Sequence, residues 1–417
     1  MIVERDILDV INTPGYVTLI EGPPGTGKTS LALKAVCNRG KAKYISYSEP
    51  ESSLKKKLRM VGADENYRLN VLSLMSGNSG VAVSEIVDSL KNGELVVVDT
   101  LDAMFYGIKD ENEMRPFLQL VYGATKEKEG SLLLISEGLN PASKQIRFIA
   151  DAIVSVDYES VLDKNARSVK LLKDRDSDII NPLYYITFAS GFRLIKPHYI
   201  LSKKPLKAVV AITESGNKEV EVEKSLGYNM LTFMDTDVSD IAGRLYRESL
   251  VAHYILHGYS VNYWIGPEEA EEEILEDVKS LTDNRVENFR FVYADPKEAG
   301  YSSEELLELI EKQVKGDRYI NAINLLSQED FAVKESAEFE MFFKSLTRKN
   351  VKEKAYTFFF GYSNLRSTEL AAKYANVLRR LSSREGFLFW RSVKPKGPLY
   401  FVDLRLEDGV VDFIEIK

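Results

Sequence analysis

The chain has 417 residues, of which 44% are hydrophobic and 28% are charged, and its 63 acidic and 55 basic residues give a net charge of −8. This length corresponds to two or three domains, and the composition is typical of a folded globular protein. The acidic balance argues against a protein whose main partner is nucleic acid, because binding to phosphates needs concentrated lysine and arginine. With one cysteine, Cys37, and no apolar run near ~18 residues, we expect a cytoplasmic protein that does not enter a membrane.

The first motif along the chain is a phosphate-binding loop. Residues 16–20 predict a buried strand, residues 22–29 (GPPGTGKT) match the pattern G-x-x-x-x-G-K-[ST], and a helix is predicted to follow. In such a loop the backbone N–H groups and the helix N-terminus hold phosphate, Lys28 reaches the β- and γ-phosphates, and the Thr29 hydroxyl binds Mg²⁺. The predicted nucleotide-binding residues are Gly22, Pro23, Pro24, Gly25, Thr26, Gly27, Lys28, Thr29 and Ser30.

The strands that follow end in acidic or polar residues. A strand over 43–48 is followed by Glu49, and a later apolar run ends in Asp99. Because open α/β sheets bind ligands at the carboxyl ends of their strands, we predict that Glu49 activates the attacking water and that Asp99 holds Mg²⁺. The alternatives are that Glu49 is a solvated loop residue or that Glu51 is the base. The polar end of a further strand, residues 132–137, is a candidate sensor of the γ-phosphate.

Beyond residue 150 the pattern changes from alternating strands and helices to consecutive strands. Segments between 152 and 195 predict an antiparallel run, and a mostly parallel P-loop sheet extended in this way is typical of the RecA-type core. Lys173 and Arg175 stand near the end of one of these strands, and their spacing of two places both on one side of an extended chain. They form either a surface charge cluster or a pair that reaches a phosphate on a neighbouring subunit, as an arginine finger does.

Three segments resemble the archaeal and cyanobacterial KaiC-like branch of the RecA ATPases. They are residues 16–32, residues 44–51 and the run from 150 through Lys173 and Arg175 to 192, so that the resemblance extends over residues 10–197. It implies an Mg²⁺-dependent ATPase that forms a homo-oligomeric ring, such as a hexamer, in which Lys173 and Arg175 belong to the site of the adjacent protomer. Here Ser48 replaces the first of two family glutamates, which implies slower or differently tuned hydrolysis, and Asp176 replaces the glycine that usually follows the basic pair.

The second half repeats the first faintly, at an offset of about 217 residues. Residues 228–233 correspond to the first strand, residues 235–244 take the place of the P-loop before a helix over 245–256, and Asn321 and Asn324 stand where a strand would end in aspartate. The loop lacks the Lys–Thr pair and carries three aspartates, which repel phosphate. We therefore predict an ATPase domain over 1–200 and a degenerate RecA-like domain over 201–417 that binds ATP poorly; an unrelated α/β domain is the alternative.

Several other polar groups have a structural interpretation. The lysines at 55–57 predict the solvated face of an amphipathic helix. His253 and His257 lie four apart on a predicted helix, but no further ligand completes a metal set. The arginines and lysines between 379 and 396 form the one basic concentration, which is either solvated surface or a docking patch for an acidic partner.

The predicted function is an ATP-binding and ATP-hydrolysing switch that controls a regulatory or signalling partner through its ATP and ADP states. One alternative is a mediator of recombination that resembles RadA paralogues and binds DNA, although neither a helix-hairpin-helix segment nor basic DNA loops are visible. A module that holds ATP without turnover is a second alternative. A kinase-like module that phosphorylates itself is the third, although no serine or threonine is marked as its acceptor.

Overall fold

The computed structural model describes residues 6–64, 66–74, 79–106, 111–127, 129–138, 141–179, 182–189, 191–197, 229–238, 240–266, 270–313, 319–353, 355–405 and 410–417. The chain divides after Pro197 into two units, each an α/β domain built on one nine-stranded sheet. None of the helices in the described ranges combines the length and the apolar character that a bilayer-spanning segment needs.

Unit 1 alternates strands and helices as far as its sixth strand and then continues through consecutive strands. Its strands are β1 (Val17–Glu21), β2 (Ala42–Ser46), β3 (Asn70–Ser73), β4 (Leu95–Asp99), β5 (Ser131–Ser136), β6 (Ala152–Val161), β7 (Lys164–Asp174), β8 (Leu183–Thr187) and β9 (Arg193–Ile195). Its described helices are α1 (Ile7–Ile11), α2 (Lys28–Arg39), α3 (Glu51–Met60), α4 (Ser79–Lys91), α5 (Leu101–Met104), α6 (Glu111–Glu127) and α7 (Pro141–Ile149).

The sheet of unit 1 has the order β3-β2-β4-β5-β1-β6-β7-β8-β9. Strand β6 pairs parallel with β1 on one side and antiparallel with β7 on the other, so the expected antiparallel run begins at the β6–β7 pair and β6 itself belongs to the parallel part. Strands β1, β4 and β5 are buried at every residue, because apolar layers cover both faces of the sheet. The carboxyl ends of the parallel strands therefore share one edge, which we call the carboxyl edge.

Unit 2 follows the same path. Its strands are β10 (Asn229–Met234), β11 (Ser260–Ile265), β12 (Phe289–Tyr293), β13 (Tyr319–Asn324), β14 (Tyr356–Tyr362), β15 (Val377–Arg384), β16 (Phe387–Lys394), β17 (Leu399–Arg405) and β18 (Val410–Ile416). Its described helices are α8 (Asp240–Leu256), α9 (Glu271–Leu281), α10 (Ser303–Gln313), α11 (Glu329–Lys334), α12 (Ser336–Glu353) and α13 (Arg366–Ala372), with a 3₁₀ turn at Leu325–Gln328.

The strand order of unit 2 is β12-β11-β13-β14-β10-β15-β16-β17-β18, which is the order of unit 1 with every strand advanced by nine. This identity of path confirms the predicted fold class, a RecA-type core followed by a second RecA-like α/β domain. Helix α8 begins at Asp240 rather than at 245, so the connection from β10 is shorter than expected.

Two arginines of the basic concentration between 379 and 396 are buried in strands, whereas Arg384, Lys394 and Lys396 are exposed. Arg379 in β15 is 3% exposed and its guanidinium lies over the ring of Trp390, 5.1 Å from the centroid. Arg391 in β16 is 8% exposed. The interpretation of these residues as a patch for an acidic partner is wrong for Arg379 and Arg391, because both side chains are buried.

Candidate functional site

A glycine-rich loop joins β1 to α2 at the carboxyl edge. Gly22, Gly25 and Gly27 have φ angles of 149°, 80° and 109°, a region that favours glycine. A Cβ added to Gly22 would lie 1.9 Å from the carbonyl oxygen of Val156 in β6. The Tyr158 hydroxyl, also in β6, donates to the carbonyl of Gly25 at 2.9 Å. The loop is therefore held against β6 in a conformation that needs glycine, and α2 begins directly after it.

Lys28 lies across this loop. Its Nζ donates to the carbonyl oxygens of Gly22 and Pro23, each at 2.7 Å, and the residue is buried. Burial lowers the pKa of Lys28, and the negative charges of Glu137, Asp99 and Asp102 act against that shift. The ammonium group thus stands between the loop carbonyls and a set of carboxylates at the carboxyl edge.

Asp99, at the end of β4, is one of these carboxylates. Its Oδ2 accepts hydrogen bonds from the Thr29 hydroxyl (2.9 Å) and from the Tyr44 hydroxyl (2.6 Å). Burial raises the pKa of Asp99, and the hydrogen bonds from Tyr44 and Thr29 oppose this without cancelling it. A carboxylate and a hydroxyl within hydrogen-bonding distance are ligands of the kind that Mg²⁺ prefers, so the residues present fit this cation.

Glu49 follows β2 and is held by α3. Its Oε2 accepts from the Ser53 hydroxyl at 2.6 Å, and its Oε1 forms an ion pair with Lys57. Burial alone would raise the pKa of Glu49, but hydrogen bonds from Lys57 and Ser53 and the charge of Lys57 outweigh burial and lower it. Glu51, the alternative base, instead pairs with Lys55 at 2.6 Å on the exposed side of α3.

Lys57 corrects the sequence interpretation of the lysines at 55–57. Lys55 does lie on a solvated face, with its side chain 59% exposed, whereas Lys57 turns inward to Glu49. Lys57 and Glu49 line the same cavity as Lys28 and Asp99. The prediction of one solvated face for all three lysines is therefore wrong for Lys57.

Asp102, in the first turn after β4, was not singled out in the sequence. Its Oδ2 accepts from the Ser136 hydroxyl (2.9 Å) and from the backbone N–H of Glu137 (2.7 Å), which draws the end of β5 to the site. Its Oδ1 is buried and has no hydrogen-bond partner among the described residues. A carboxylate three residues beyond Asp99 is the one signal that could have marked it.

A cavity of about 1090 Å³ lies at this edge, and the residues described above that line it are Lys28, Thr29, Glu49, Lys57, Asp99 and Asp102. Phe188 and Arg167 also line it, and an added Cβ on Gly27 would lie 3.7 Å from the Phe188 ring. The Arg167 guanidinium lies 5.2 Å from the centroid of Phe188 and 5.5 Å from that of Tyr158. A flat, partly aromatic wall therefore stands beside the glycine-rich loop.

Lys173 and Arg175 do not reach this cavity within one chain. Lys173 pairs in register with Ile153, near the start of β6, and its Nζ donates to the carbonyl of Ala150 at 2.6 Å. Arg175 forms an ion pair with Asp151 at 2.8 Å and donates to the Tyr122 hydroxyl at 2.8 Å. Both cations therefore lie at the amino ends of the parallel strands, at the edge opposite the glycine-rich loop.

The corresponding place in unit 2 is built differently. Asp235, directly after β10, accepts from the guanidinium of Arg380, with three contacts of 2.9 to 3.0 Å. Asn324 ends β13, and its side chain accepts from the backbone N–H of Leu326. An added Cβ on Gly243 of α8 would lie 2.8 Å from the sulfur of Met234, so the helix packs closely on the end of β10.

Within the described parts of the chain, no three His, Cys, Asp or Glu side chains converge as a metal site. His253 is buried, and its ring centroid lies 4.1 Å from that of His257.

Residues 12–195 match the family model described as the ATPase KaiC. The predicted resemblance is thereby confirmed for this part of the chain, which contains the glycine-rich loop and every residue of the cavity named above. No curated protein matches the sequence.

Proposed function

We propose that unit 1, a RecA-superfamily P-loop ATPase domain of the KaiC type over residues 12–195, hydrolyses ATP with Mg²⁺ and acts as a nucleotide-driven switch on a regulatory or signalling partner. One observation carries the proposal. The glycine-rich loop, Lys28, the Thr29–Asp99 pair and Glu49 line a single cavity. These are the groups that binding of a triphosphate and attack of water on it require.

Each group has a role that follows from its chemistry. The loop amides, the N-terminus of α2 and Lys28 hold the phosphates. Thr29 and Asp99 would hold Mg²⁺, which neutralises phosphate charge when it is bound. Glu49 orients and deprotonates the water that attacks the γ-phosphorus, the bond from that phosphorus to the bridging oxygen breaks, and ADP leaves.

The wall beside the loop suits the nucleotide base. Phe188 offers an aromatic face and Arg167 a planar cation, and both groups can stack on a purine. Tyr158 links this wall to the loop, since its hydroxyl binds the carbonyl of Gly25. Base and triphosphate would thus be positioned by the same segment of the fold.

Lys173 and Arg175 can stabilise the γ-phosphate only if it belongs to another copy of the chain. Their contacts with Ala150, Asp151 and Tyr122 place them at the edge opposite their own loop. We therefore propose a shared site in a homo-oligomeric ring, for which a hexamer is the form that the family resemblance implies. A ligand bound by two protomers stabilises the contact between them, so ATP would favour assembly more than ADP does.

Two substitutions test the proposal. In Lys28→Ala the phosphates lose a fixed cation, and we expect calorimetry to detect no tight ATP binding, whereas Lys55→Ala on the exposed side of α3 should bind as the parent does. In Glu49→Gln we expect ATP to bind at least as tightly as it binds to the parent and turnover to be lower by about 10²-fold, as the loss of a general base gives. Parent-like binding by Lys28→Ala would disprove the site, and parent-like turnover by Glu49→Gln would remove Glu49 from the mechanism.

A further inference from the structure

The carboxylate of Glu49 is engaged at both oxygens. Oε2 accepts from Ser53, one helical turn away, and Oε1 is paired with Lys57, a further turn along α3. The backbone is fixed as well, because the N–H of Glu49 donates to the Ser46 hydroxyl at 3.0 Å and that hydroxyl donates to the Glu49 carbonyl at 2.7 Å. A group that has to accept a proton from water is thus held by an ammonium ion.

Lys57 is placed to meet the nucleotide as well as Glu49. It lines the same cavity as Lys28, Thr29 and Asp99. Its positive charge is near enough to Asp99 to act on the pKa of that carboxyl. The cavity holds a triphosphate in the proposed function, so Lys57 lies beside both the predicted base and the predicted position of the phosphates.

We propose that Lys57 is a positioning residue that senses the γ-phosphate: its ammonium holds Glu49 when ADP or no nucleotide is bound, and it transfers to the γ-phosphate when ATP binds, which frees Oε1 of Glu49 to accept the proton of the attacking water. This inference rests on the proposed function and adds a regulatory contact to it. Ser53 keeps its hydrogen bond to Oε2, so the carboxylate stays in place while its partner moves.

The transfer is favoured by charge and by reach. A terminal phosphate carries more negative charge than a carboxylate, and a charge-assisted hydrogen bond to it replaces the one that is lost. Lysine has a flexible four-carbon stem and three donors, so its ammonium can move between neighbouring acceptors without a change in the helix. ADP lacks the γ-phosphate and provides no competing acceptor, which makes the contact selective for ATP.

The experiment compares the affinities for ADP and for the slowly hydrolysed analogue ATPγS by calorimetry with the full chain. In Lys57→Met we expect ATPγS to bind about tenfold more weakly and ADP to bind as it does to the parent, since only the γ-phosphate loses a charged partner. Lys57→Arg should recover most of the ATPγS affinity. Lys55→Met is the matched control, because it removes a lysine of the same helix that pairs with Glu51 instead, and it should change neither affinity.

A second variant tests the competition itself. Glu49→Gln removes the carboxylate that competes for Lys57, so ATPγS should bind several-fold more tightly, and this gain should vanish when Lys57→Met is added. Retained ADP binding shows that each variant is folded, and Lys57→Gln repeats the test if Lys57→Met is unstable.

The outcomes separate this inference from the proposed function. If Lys57→Met changes ADP and ATPγS binding equally, or changes neither, Lys57 does not sense the γ-phosphate, although unit 1 still binds nucleotide. If Lys55→Met weakens ATPγS binding relative to ADP binding as much as Lys57→Met does, the role of Lys57 is also overturned. If the parent binds neither nucleotide, the proposed function fails and this inference fails with it.

Discussion

Replacing Gly22 by alanine perturbs the site through the backbone alone. The added Cβ would lie 1.9 Å from the carbonyl oxygen of Val156 and 2.9 Å from its carbonyl carbon, about 1.5 Å short of the nearest ordinary contact. Val156 cannot yield easily, because β6 is paired with β1 on one side and with β7 on the other. The φ of 149° at Gly22 adds strain for any residue with a Cβ. The loop is therefore the part that has to move.

The size of the effect follows from these two costs. Overfilling a packed site costs about 1–3 kcal/mol, and an unfavourable φ adds about 1–2 kcal/mol. We expect the free energy of unfolding of unit 1 to fall by about 2–5 kcal/mol, which a domain of ordinary stability of about 5–15 kcal/mol survives. A displaced loop should also weaken ATPγS binding by tenfold or more, because the loop amides that are proposed to hold the phosphates move.

Urea unfolding and calorimetry with ATPγS measure the two effects separately. Gly123→Ala is the matched control, because Gly123 lies within α6 and an added Cβ meets no atom within 4 Å. That change should leave binding unaltered and raise stability by up to about 1 kcal/mol. Parent-like stability and affinity in Gly22→Ala would show that the loop does not lie against β6.

Three further predictions concern other parts of the fold. Tyr44→Phe removes a donor to the buried carboxylate of Asp99, so urea unfolding should show a loss of about 1.5–3 kcal/mol; an unchanged midpoint would contradict it. Mixing Lys28→Ala with Arg175→Ala should restore part of the turnover through composite sites, and no recovery after co-assembly, verified by native mass spectrometry, would exclude a shared site. Burial lowers the pKa of His253 from 6.5 to about 4, so the unfolded state takes up a proton first as the pH falls through this interval. The free energy of unfolding should therefore fall by up to about 3 kcal/mol as the pH falls from 6.5 to about 4, and by less in His253→Leu. Urea unfolding measures both, and equal losses in the parent and in His253→Leu would contradict this prediction.

Local patterns were enough to predict the phosphate loop and the two acidic residues that follow strands. The loop motif needs only its own residues and a strand and helix on either side. Asp99 and Glu49 could be placed because the carboxyl ends of parallel strands share one edge, whatever the order of the strands. The fold of unit 2 was predictable for the same reason, since its strands keep the order along the chain and the apolar character of those in unit 1.

The partners of these residues could not be predicted, because they depend on helix phase and strand register. Consecutive residues on a helix point about 100° apart, so a run of lysines cannot share one face, and the phase of α3 decides that Lys57 turns to Glu49. Tyr44 reaches Asp99 only because β2 and β4 are neighbours in the sheet. Arg379 and Arg391 are buried on the strands β15 and β16, and the charge of the sequence alone does not indicate which members of a basic cluster are covered.

Unit 2 shows which parts of this fold depend on the phosphate chemistry and which do not. The register of the strands places Asn324 at the position that Asp99 has in unit 1. Asp99 is paired with Ile135 of β5, which is paired with Ile20 of β1. In the same way, Asn324 is paired with Phe360 of β14, which is paired with Thr232 of β10.

Asn324 caps the turn that follows β13 rather than facing a hydroxyl like that of Thr29. After β10, Arg380 binds Asp235, so a basic group that could bind phosphate is paired with a carboxylate of the protein itself. The sheet keeps its path without the loop, because two apolar layers hold it. We therefore expect unit 2 by itself to bind nucleotide poorly.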